Sequence, residues 1–287
     1  MSTDFLLQQV LNGLSLGALL FLLASGFTLV FGLMRIVNLA HGAFYLLGGY
    51  VGVVTTAATG QILVGFLAGA AAVAALGFGT ERFLMRRVRG KELPEVLLTI
   101  GLSFIVADLC LAFFGGNPMT LQVTGMLTGS APVGGVVYPR YRLFIIVITV
   151  VIGVLLAVAQ RYTRIGAMVR AGVDDREMAA ATGMNVDRVF TGMFVFGAAL
   201  AGLAGVIGAG MLSLRPGVDI DILLYALVVV IIGGLGSVKG AAVGSLLIGL
   251  IDAFAKAWVP ELAYFTIFAP MALVLVLRPA GLFGRTA

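Results

Sequence analysis

The chain's only histidine, His41, and the polar side chains just before it are the first candidates for chemistry. Arg35, Asn38 and His41 interrupt two long apolar runs. A single imidazole cannot build a metal site, and a single cysteine, Cys110, excludes a disulfide framework and a CxxC site. Two interpretations stay open. Either Asn38 caps the following helix with His41 in its first turn, or both residues line or gate a pathway.

Two carboxylates fall inside apolar runs, where an ionised group is costly unless it finds a partner. Asp252 precedes Lys256 by four residues, which is the spacing of a local ion pair on one helix face. Asp108 has no such neighbour and is the third candidate pathway residue. A protonated or hydrogen-bonded carboxyl is the structural alternative for Asp108.

The most informative polar segment covers residues 170–188. Asp174 or Asp175 is suited to cap a short helix, because a carboxylate accepts the free amide groups of a first turn. Glu177 favours the positive end of such a helix, and Gly183 favours its termination in a left-handed conformation. Unless this segment is only a solvated loop, a short helix with alanine on its surface is suited to docking in another protein's groove.

The sequence lacks a complete set of catalytic residues. One histidine and scattered acids do not assemble a Ser/His/Asp or two-carboxylate constellation. The nucleotide-binding patterns GxxxxGK[ST] and GxGxxG do not occur. We therefore predict that the chain is not an enzyme, with no catalytic residue and no metal ligand.

The composition shows what kind of element must position these residues. The chain has 287 residues, 61% hydrophobic and 11% charged, whereas soluble domains carry about 25% charged residues. This excludes a cytosolic enzyme, a nucleic-acid-binding domain, a disordered chain and a disulfide-stapled module. The apolar runs are continuous, and they lack the alternation of a membrane barrel. The sequence therefore predicts an all-α polytopic membrane protein.

Runs of about 20 apolar residues, enough to cross a bilayer, predict eight to nine transmembrane helices. The seventh and eighth runs are separated only by residues 236–240, so they are either two spans with a tight turn or one span with a re-entrant piece. The candidate spans are Leu6–Leu33, Gly42–Thr59, Ile62–Thr80, Glu95–Phe114, Leu143–Gln160, Val189–Ser213, Ile222–Leu235, Ala241–Trp258 and Leu262–Leu277.

Basic residues predict the orientation, because loops rich in lysine and arginine stay in the cytoplasm. Segments 81–94 and 161–188 carry most of these residues and are predicted to be internal. Segment 115–141, which is rich in glycine and proline, is then external. Nine crossings would place the N-terminus outside and the C-terminus inside. We expect residues 1–287 to form one transmembrane domain.

Small residues four positions apart predict where helices pack closely, because they let two backbones approach each other. The same close-packed surfaces are suited to sliding during gating. The pairs are Gly13/Gly17, Gly48/Gly52, Gly65/Gly69, Ala198/Gly202, Gly236/Gly240 and Gly240/Gly244.

Four segments together resemble a known family along nearly the whole chain. The sequence is similar to the integral membrane permease of branched-chain amino acid ABC importers, in its shorter, H-type form. The segments are Gly32-Leu-Met-Arg-Ile-Val-Asn-Leu-Ala-His-Gly42, Thr163-Arg-Ile-Gly-Ala-Met-Val-Arg170, Gly233-Gly-Leu-Gly-Ser-Val-Lys-Gly240 and Leu277-Arg-Pro-Ala-Gly-Leu-Phe-Gly284.

The resemblance implies that the cytoplasmic loop 161–188 docks the ATPase, chiefly through its segment 170–188. Permeases of ABC importers carry a loop with Glu-Ala-Ala, three residues and Gly, which docks the ATPase subunit. Glu177, Ala179 and Gly183 match three of these positions, whereas Met178 replaces the first alanine and the Leu-Pro pair expected further on is absent. Asp174 and Asp175 begin the same segment. The resemblance thus predicts ATPase docking by the five residues Asp174, Asp175, Glu177, Ala179 and Gly183.

The resemblance also implies an ABC importer permease fold and a set of partners in the bacterial inner membrane. These are a second, M-type permease subunit, two ATPase subunits and a periplasmic substrate-binding protein. ATP would be bound by the partner subunits, and this chain would hold no cofactor and bind no nucleic acid. The predicted function is translocation of branched-chain or related amino acids.

Two alternatives remain at this point. Permeases of the same family move urea, short amides or aromatic acids, and the sequence does not identify the side chains that select among them. A secondary transporter driven by an ion gradient, centred on Asp108, is the other alternative.

Overall fold

The computed structural model describes residues 2–35 and 37–284, and most of these residues are helical. An antiparallel hairpin of strands β1, Ser130–Val133, and β2, Val136–Pro139, pairs Ser130 with Pro139 and Val133 with Val136. The helices of the described residues are α1 Thr3–Met34, α2 His41–Thr59, α3 Ile62–Val88, α4 Glu92–Phe114, α5 Arg140–Tyr162, α6 Arg164–Asp174, α7 Arg176–Ala181, α8 Val186–Gly208, α9 Val218–Gly233, α10 Val238–Trp258 and α11 Ala263–Leu277.

Seven helices of the described residues are long and apolar enough to cross a membrane: α1 to α5, α8 and α10. Helices α9 and α11 are apolar but have only 16 and 15 residues. The all-α polytopic architecture is confirmed. Counting one or both of these shorter helices gives the predicted eight to nine, but each is shorter than the about 20 residues of a full crossing.

The third helix is longer than its predicted span. It continues from Ile62 to Val88 through a turn of π-helix at Thr80–Met85. The predicted boundary at Thr80 marked the end of the apolar run, whereas the backbone hydrogen bonding of the helix continues into the basic segment. Such π-turns are rare, and they are frequently found at functional sites.

Glycines hold the central helices together, as the small-residue pairs predicted. A Cβ atom added at Gly17 would lie 2.8 Å from the carbonyl oxygen of Ser245, so α1 and α10 are in backbone contact. Gly48 meets Gly202 in the same way and joins α2 to α8, and Gly69 approaches both Gly48 and Gly202. Helices α1, α2, α3, α8 and α10 therefore pack as closely as their backbones allow.

The break at residues 236–240 separates two helices that pack on each other. Gly234 and Gly236 both have positive φ, 98° and 82°, a conformation that glycine adopts without steric cost. The hydroxyl of Ser237 accepts a hydrogen bond from the Gly240 amide at 3.0 Å and caps α10. Gly233 lies against Gly240 across the turn. The structure thus has two helices joined by a tight turn, and because α9 has only 16 residues the choice between two spans and one span with a re-entrant piece stays open.

The predicted external segment 115–141 is folded and not only a loop. Its hairpin is attached to α1, because the Tyr138 hydroxyl donates to Asn12 Oδ1 at 3.1 Å and Arg142 donates to the same oxygen at 2.7 Å. Met119 and Leu214 form an isolated bridge that ties the segment to the connection between α8 and α9. The segment therefore covers one end of the helix bundle.

Candidate functional site

Asn38 and His41 meet at the beginning of α2. Asn38 Oδ1 accepts a hydrogen bond from the Ala40 amide at 3.1 Å, and its carbonyl accepts one from the His41 amide at 3.2 Å. Both side chains are buried. Ala40 is the capping position of α2, and its first turn has no side-chain cap among the described residues; Asn38 instead accepts from the Ala40 amide just before the helix begins. The placement of His41 in the first turn of α2 is confirmed, whereas the prediction that Asn38 caps this helix is wrong, because its side chain closes the preceding turn. A lining or gating role for the two residues stays a prediction.

His41 places the beginning of α2 beside the middle of α1. Its Nε2 lies 3.0 Å from the carbonyl oxygen of Leu23, and its ring packs edge-on against Phe27 at 5.5 Å. Leu23 is more than ten residues from the end of α1 at Met34. The chain between the two helices therefore returns to the interior of the bundle before α2 begins.

A second helix also begins at this point. A Cβ atom at Gly42 would overlap the carbonyl oxygen of Asp219, which lies in the first turn of α9. Asp219 is buried, and the sequence analysis did not select it. The N-terminal ends of α2 and α9 thus meet inside the bundle, and both direct the positive end of a helix dipole toward it. We call His41, Gly42 and Asp219 the central junction.

Several buried polar atoms of α1 and α2 lack a hydrogen-bond partner within the described part of the chain. They are His41 Nδ1 and the hydroxyl groups of Thr28, Tyr45 and Tyr50. Buried polar groups are almost always paired, with protein or with water. An ordered water or a polar solute would satisfy such atoms.

Asp108 is not part of the central junction. It lies on the exposed side of α4, where the apolar side chains of Phe104, Ile105 and Leu109 are also exposed. Val106 and Cys110, on the opposite side of the same helix, are buried. Within the described residues, Asp108 has no hydrogen bond or ion pair. The structure therefore brings together two of the three predicted pathway residues and separates the third.

The predicted docking segment contains two helices, α6 and α7, where the sequence predicted one. Asp175 caps α7, because its Oδ1 accepts a hydrogen bond from the Met178 amide at 2.9 Å. Gly183 ends α7 with φ of 86°. The amides of Gly183 and Met184 donate to the carbonyls of Ala180 and Ala179, the pattern of a Schellman motif. The predictions that an aspartate, here Asp175, caps the beginning of the helix and that Gly183 ends it are thus confirmed.

The surface of α7 differs from the one that its alanines predicted. Ala179 is buried against the rest of the chain, whereas Met178 is 63% exposed and Ala180 is exposed. The side chains of Asp174 and Glu177 lie outside the described residues. A docking partner would therefore contact Met178 and Ala180, and Ala179 instead anchors the helix.

A buried charge cluster joins the two basic segments, and the sequence analysis missed it. Glu81, in the π-turn of α3, is fully buried and forms ion pairs with Arg89 and, at 3.6 Å, with Arg86. Its other oxygen accepts a hydrogen bond from the Thr191 hydroxyl of α8 at 2.6 Å. Arg89 also pairs with Asp187 at 2.7 Å. Segments 81–94 and 161–188 therefore lie side by side.

The sequence contains an indirect indication of this charge cluster. Glu81 is an acidic residue at the end of an apolar run, followed by four arginines within eight residues. A carboxylate at such a position must be solvated or paired, because an unpaired buried charge is costly. The sequence did not show that its hydroxyl partner, Thr191, lies 110 residues away.

The predicted pair of Asp252 and Lys256 is present at 2.8 Å. Asp252 is buried, and its second oxygen accepts a hydrogen bond from the Tyr225 hydroxyl of α9 at 2.8 Å. The pair thus also links α9 to α10. Within the described residues, no three His, Cys, Asp or Glu side chains are placed to hold a metal ion.

Comparison with known proteins matches residues 9–277 to the family described as "Branched-chain amino acid transport system / permease component". The chain belongs to this family. It is a permease subunit of an ABC importer, a multi-pass protein of the bacterial inner membrane. The family is one of transport permeases and not an enzyme family, and a permease of this type works with ATPase and substrate-binding components.

Curated relatives match over nearly the full length of the permease. The Escherichia coli "High-affinity branched-chain amino acid transport system permease protein LivH" is 33% identical, with 99% of this chain and 98% of the relative covered. The Pseudomonas aeruginosa permease protein BraD is 30% identical, with 97% and 96% covered. A probable LivH of Methanocaldococcus jannaschii is 25% identical over 82% of this chain and 76% of the relative. The resemblance to H-type permeases is thus confirmed.

Proposed function

We propose that this permease translocates branched-chain amino acids, leucine, isoleucine and valine, into the cell. The observation that carries the proposal is its full-length similarity to LivH and BraD, both described as high-affinity branched-chain amino acid permeases. Apolar packing surfaces with few buried charges support it, because a zwitterion with an aliphatic side chain needs enclosure more than a charged site.

The proposed complex contains a second, M-type permease subunit, two ATPase subunits and a periplasmic binding protein. ATP is bound and hydrolysed by the ATPase subunits, and this chain itself carries no cofactor and no catalytic residue. Segments 161–188 and 81–94 face the cytoplasm in this arrangement, and segment 115–141 faces the binding protein. The whole chain, residues 1–287, acts as one transmembrane domain.

Uptake of radiolabelled leucine into proteoliposomes tests the substrate. The vesicles contain the complex purified with its own ATPases, and the binding protein is added outside. We expect ATP-dependent leucine uptake that isoleucine and valine inhibit and that urea, acetamide and phenylacetate do not. Uptake of one of the last three, with no competition by leucine, would contradict the proposal. Vesicles without the ATPases serve as the control for an ion-driven transporter.

The ATPase-docking site is proposed to be α7 with its two ends: Asp174, Asp175, Glu177, Ala179 and Gly183. Support comes from the capping geometry, which fixes a six-residue helix with Met178 and Ala180 exposed. In this proposal Asp175 and Gly183 define the helix and Ala179 anchors it.

Gly183→Val tests this docking site. Valine is strained at a φ of 86°, so the end of α7 must rearrange; if about 1–2 kcal/mol of backbone strain is relieved at the expense of docking, ATPase binding should fall by roughly five- to thirtyfold. Gly60→Val is the matched control, because Gly60 ends α2 with φ of 70° and has open space around it. Unchanged ATPase copurification in the Gly183 variant, with normal transport, would show that α7 does not dock the ATPase.

The translocation pathway is proposed to pass the central junction, with Asn38 and His41 at its wall. The unpartnered polar atoms of His41, Tyr45 and Tyr50 support this placement. Asp108 is proposed to face the second permease subunit or water in the assembled complex, because a carboxylate on a lipid-facing surface is expensive. His41→Gln and Asp108→Asn are expected to reduce uptake while the protein remains inserted.

A further inference from the structure

The cluster around Glu81 has features that a surface ion pair lacks. Glu81 is fully buried, and both of its oxygens are used, one by Arg89 and Arg86 and the other by Thr191. Arg86 also donates to the Thr191 hydroxyl at 3.2 Å. Charges in such a position are retained only with partners in good geometry, because removal of one partner leaves a buried charge unpaired.

The cluster is connected to α7 through a short length of chain. Gly183 ends α7, Asn185 caps α8 through its side chain, and Asp187 follows in the first turn of α8. Asp187 holds one side of the Arg89 guanidinium, and Phe190 lies under it at 4.9 Å. A displacement of α7 therefore reaches Asp187, which lies six residues after the end of α7 at Ala181, and through their ion pair it reaches Arg89.

The other side of the cluster is continuous with the packed glycine surfaces. Glu81 belongs to the same continuous helix as Gly77 and Gly69. Gly77 packs against Ala198, and Gly69 against Gly202, both on α8. Helices α3 and α8 are thus joined by charges at one end and by backbone contact along their length, so they are suited to move as one body.

We propose that Glu81, Arg89 and Thr191 are positioning residues that lock α3 to α8 beside the docking helix, so that movement of α7 is transmitted to both helices together. The proposal rests on the proposed function, in which α7 docks the ATPase. Without the lock, ATP hydrolysis still proceeds, but the ends of α3 and α8 beside α7 are held together only through the glycine contacts farther along the helices, so part of the movement of α7 is lost and less substrate is moved for each ATP.

Thr191→Val tests the lock, because valine keeps the volume and removes the hydroxyl that Glu81 accepts from. The complex is reconstituted in proteoliposomes, and the ratio of leucine transported to ATP hydrolysed is measured together with ATPase copurification. We expect a ratio lower by roughly 2- to 30-fold, the range for coupling residues, with the ATPase still bound. Thr191→Ser should restore the ratio, since serine supplies the same hydroxyl.

Thr99→Val is the matched control. Thr99 is also buried, but its hydroxyl donates to the Val96 carbonyl of its own helix at 2.9 Å. If Thr99→Val lowers the ratio as much as Thr191→Val does, the effect is general destabilisation and the lock is refuted. If Thr191→Val does not insert, Asp187→Asn provides the same measurement at the half-exposed edge of the cluster.

The two proposals fail in different ways. The docking site is wrong if the Gly183→Val variant still binds the ATPase, whatever the result for Thr191→Val. The lock is wrong if Thr191→Val and Asp187→Asn keep both the ATPase and the wild-type ratio. It is also wrong if these variants lose the ATPase itself, because the cluster would then only maintain the docking surface.

Discussion

Helices α4 and α5 are more apolar than α1 and α8 but less buried. In soluble proteins the order is the reverse, because the most apolar helices are the most buried. Within their most apolar stretches, α4 and α5 are the most hydrophobic of the seven long apolar helices, yet only 17% of the residues in these stretches are buried. The corresponding stretches of α1 and α8 are less hydrophobic, and 78% and 72% of their residues are buried. The most apolar helices are thus the most exposed.

Lipid explains the difference. Hydrocarbon chains are as apolar as leucine, so burial against another helix brings little hydrophobic gain, and close packing decides which surfaces meet. Helix α8 carries five glycines, of which Gly197, Gly202 and Gly205 touch the backbone of a neighbouring helix. Helix α4 has one internal glycine, Gly101, with nothing near it. Glycine, and not hydropathy, therefore marks the interior of this permease.

The largest expected effect comes from a bulky residue at a glycine contact. Gly48→Leu would overlap the backbone of Gly202, so α2 and α8 must separate, at a cost of about 3 kcal/mol or more. Gly101→Leu on α4 is the matched control, and its cost should stay within about 0.5 kcal/mol. Thermal unfolding in mild detergent, followed by size-exclusion chromatography, measures both. Equal destabilisation would remove the distinction between the two regions.

The exposure of α5 can be tested with a charge. Val151, near the middle of α5, is 46% exposed. Val151→Arg should cost about 2.5–3.5 kcal/mol if this surface faces hydrocarbon, and Val151→Leu should be neutral. A membrane-insertion assay of the chain without its partners measures the difference. Normal insertion of the arginine variant would show that water or protein covers α5.

Helix α10 is intermediate in burial, and its ion pair should have an intermediate effect. Lys256→Met leaves Asp252 buried with only the Tyr225 hydrogen bond. The lysine is half exposed and screened by solvent, so we expect a loss of about 1 kcal/mol. Thermal unfolding at low and high salt is the measurement, and the difference should shrink with salt. A coupling energy of zero in the double-mutant cycle of Asp252→Asn and Lys256→Met would show that the charge pair contributes nothing.

The smallest effect is expected on the buried side of α5. The Thr149 hydroxyl is buried beside the groove between α1, α5 and α10, a groove of about 390 Å³, and it has no hydrogen-bond partner among the described residues. Thr149→Val should therefore leave the stability unchanged or raise it by up to about 1 kcal/mol. Thr149→Ser is the control that keeps the hydroxyl. A clear loss of stability in the valine variant would indicate a partner for this hydroxyl, such as water.

Features that depend on neighbouring residues were predictable from the sequence. Asp175 and Gly183 were predicted to begin and end a helix, and they do, since capping involves residues within one turn. The pair of Asp252 and Lys256 is local in the same sense. The small-residue pairs identified the packing surfaces, because the absence of a side chain is itself the cause of close approach.

Features that depend on distant residues were not predictable in this way. Glu81 was missed because its burial results from α8 passing beside α3, and Asp219 was missed because nothing near it indicates that α9 begins beside Gly42. The alanines of α7 predicted an exposed surface, and Ala179 is buried because the rest of the chain packs against it. The length of α3 was underestimated because hydropathy falls before helical hydrogen bonding ends.

The sequence by itself determined that this chain is a helical membrane protein, where its helices run, and which surfaces can pack. Those properties follow from the length of the apolar runs and from the spacing of the glycines, and both can be read directly from the sequence. Only the tertiary structure decided which helices lie inside, that α2 and α9 begin at one point, and that Glu81 meets Arg89 and Thr191. Apart from the pair of Glu81 and Arg89, which are eight residues apart, these features depend on contacts between residues more than a hundred positions apart, and backbone packing in three dimensions sets them.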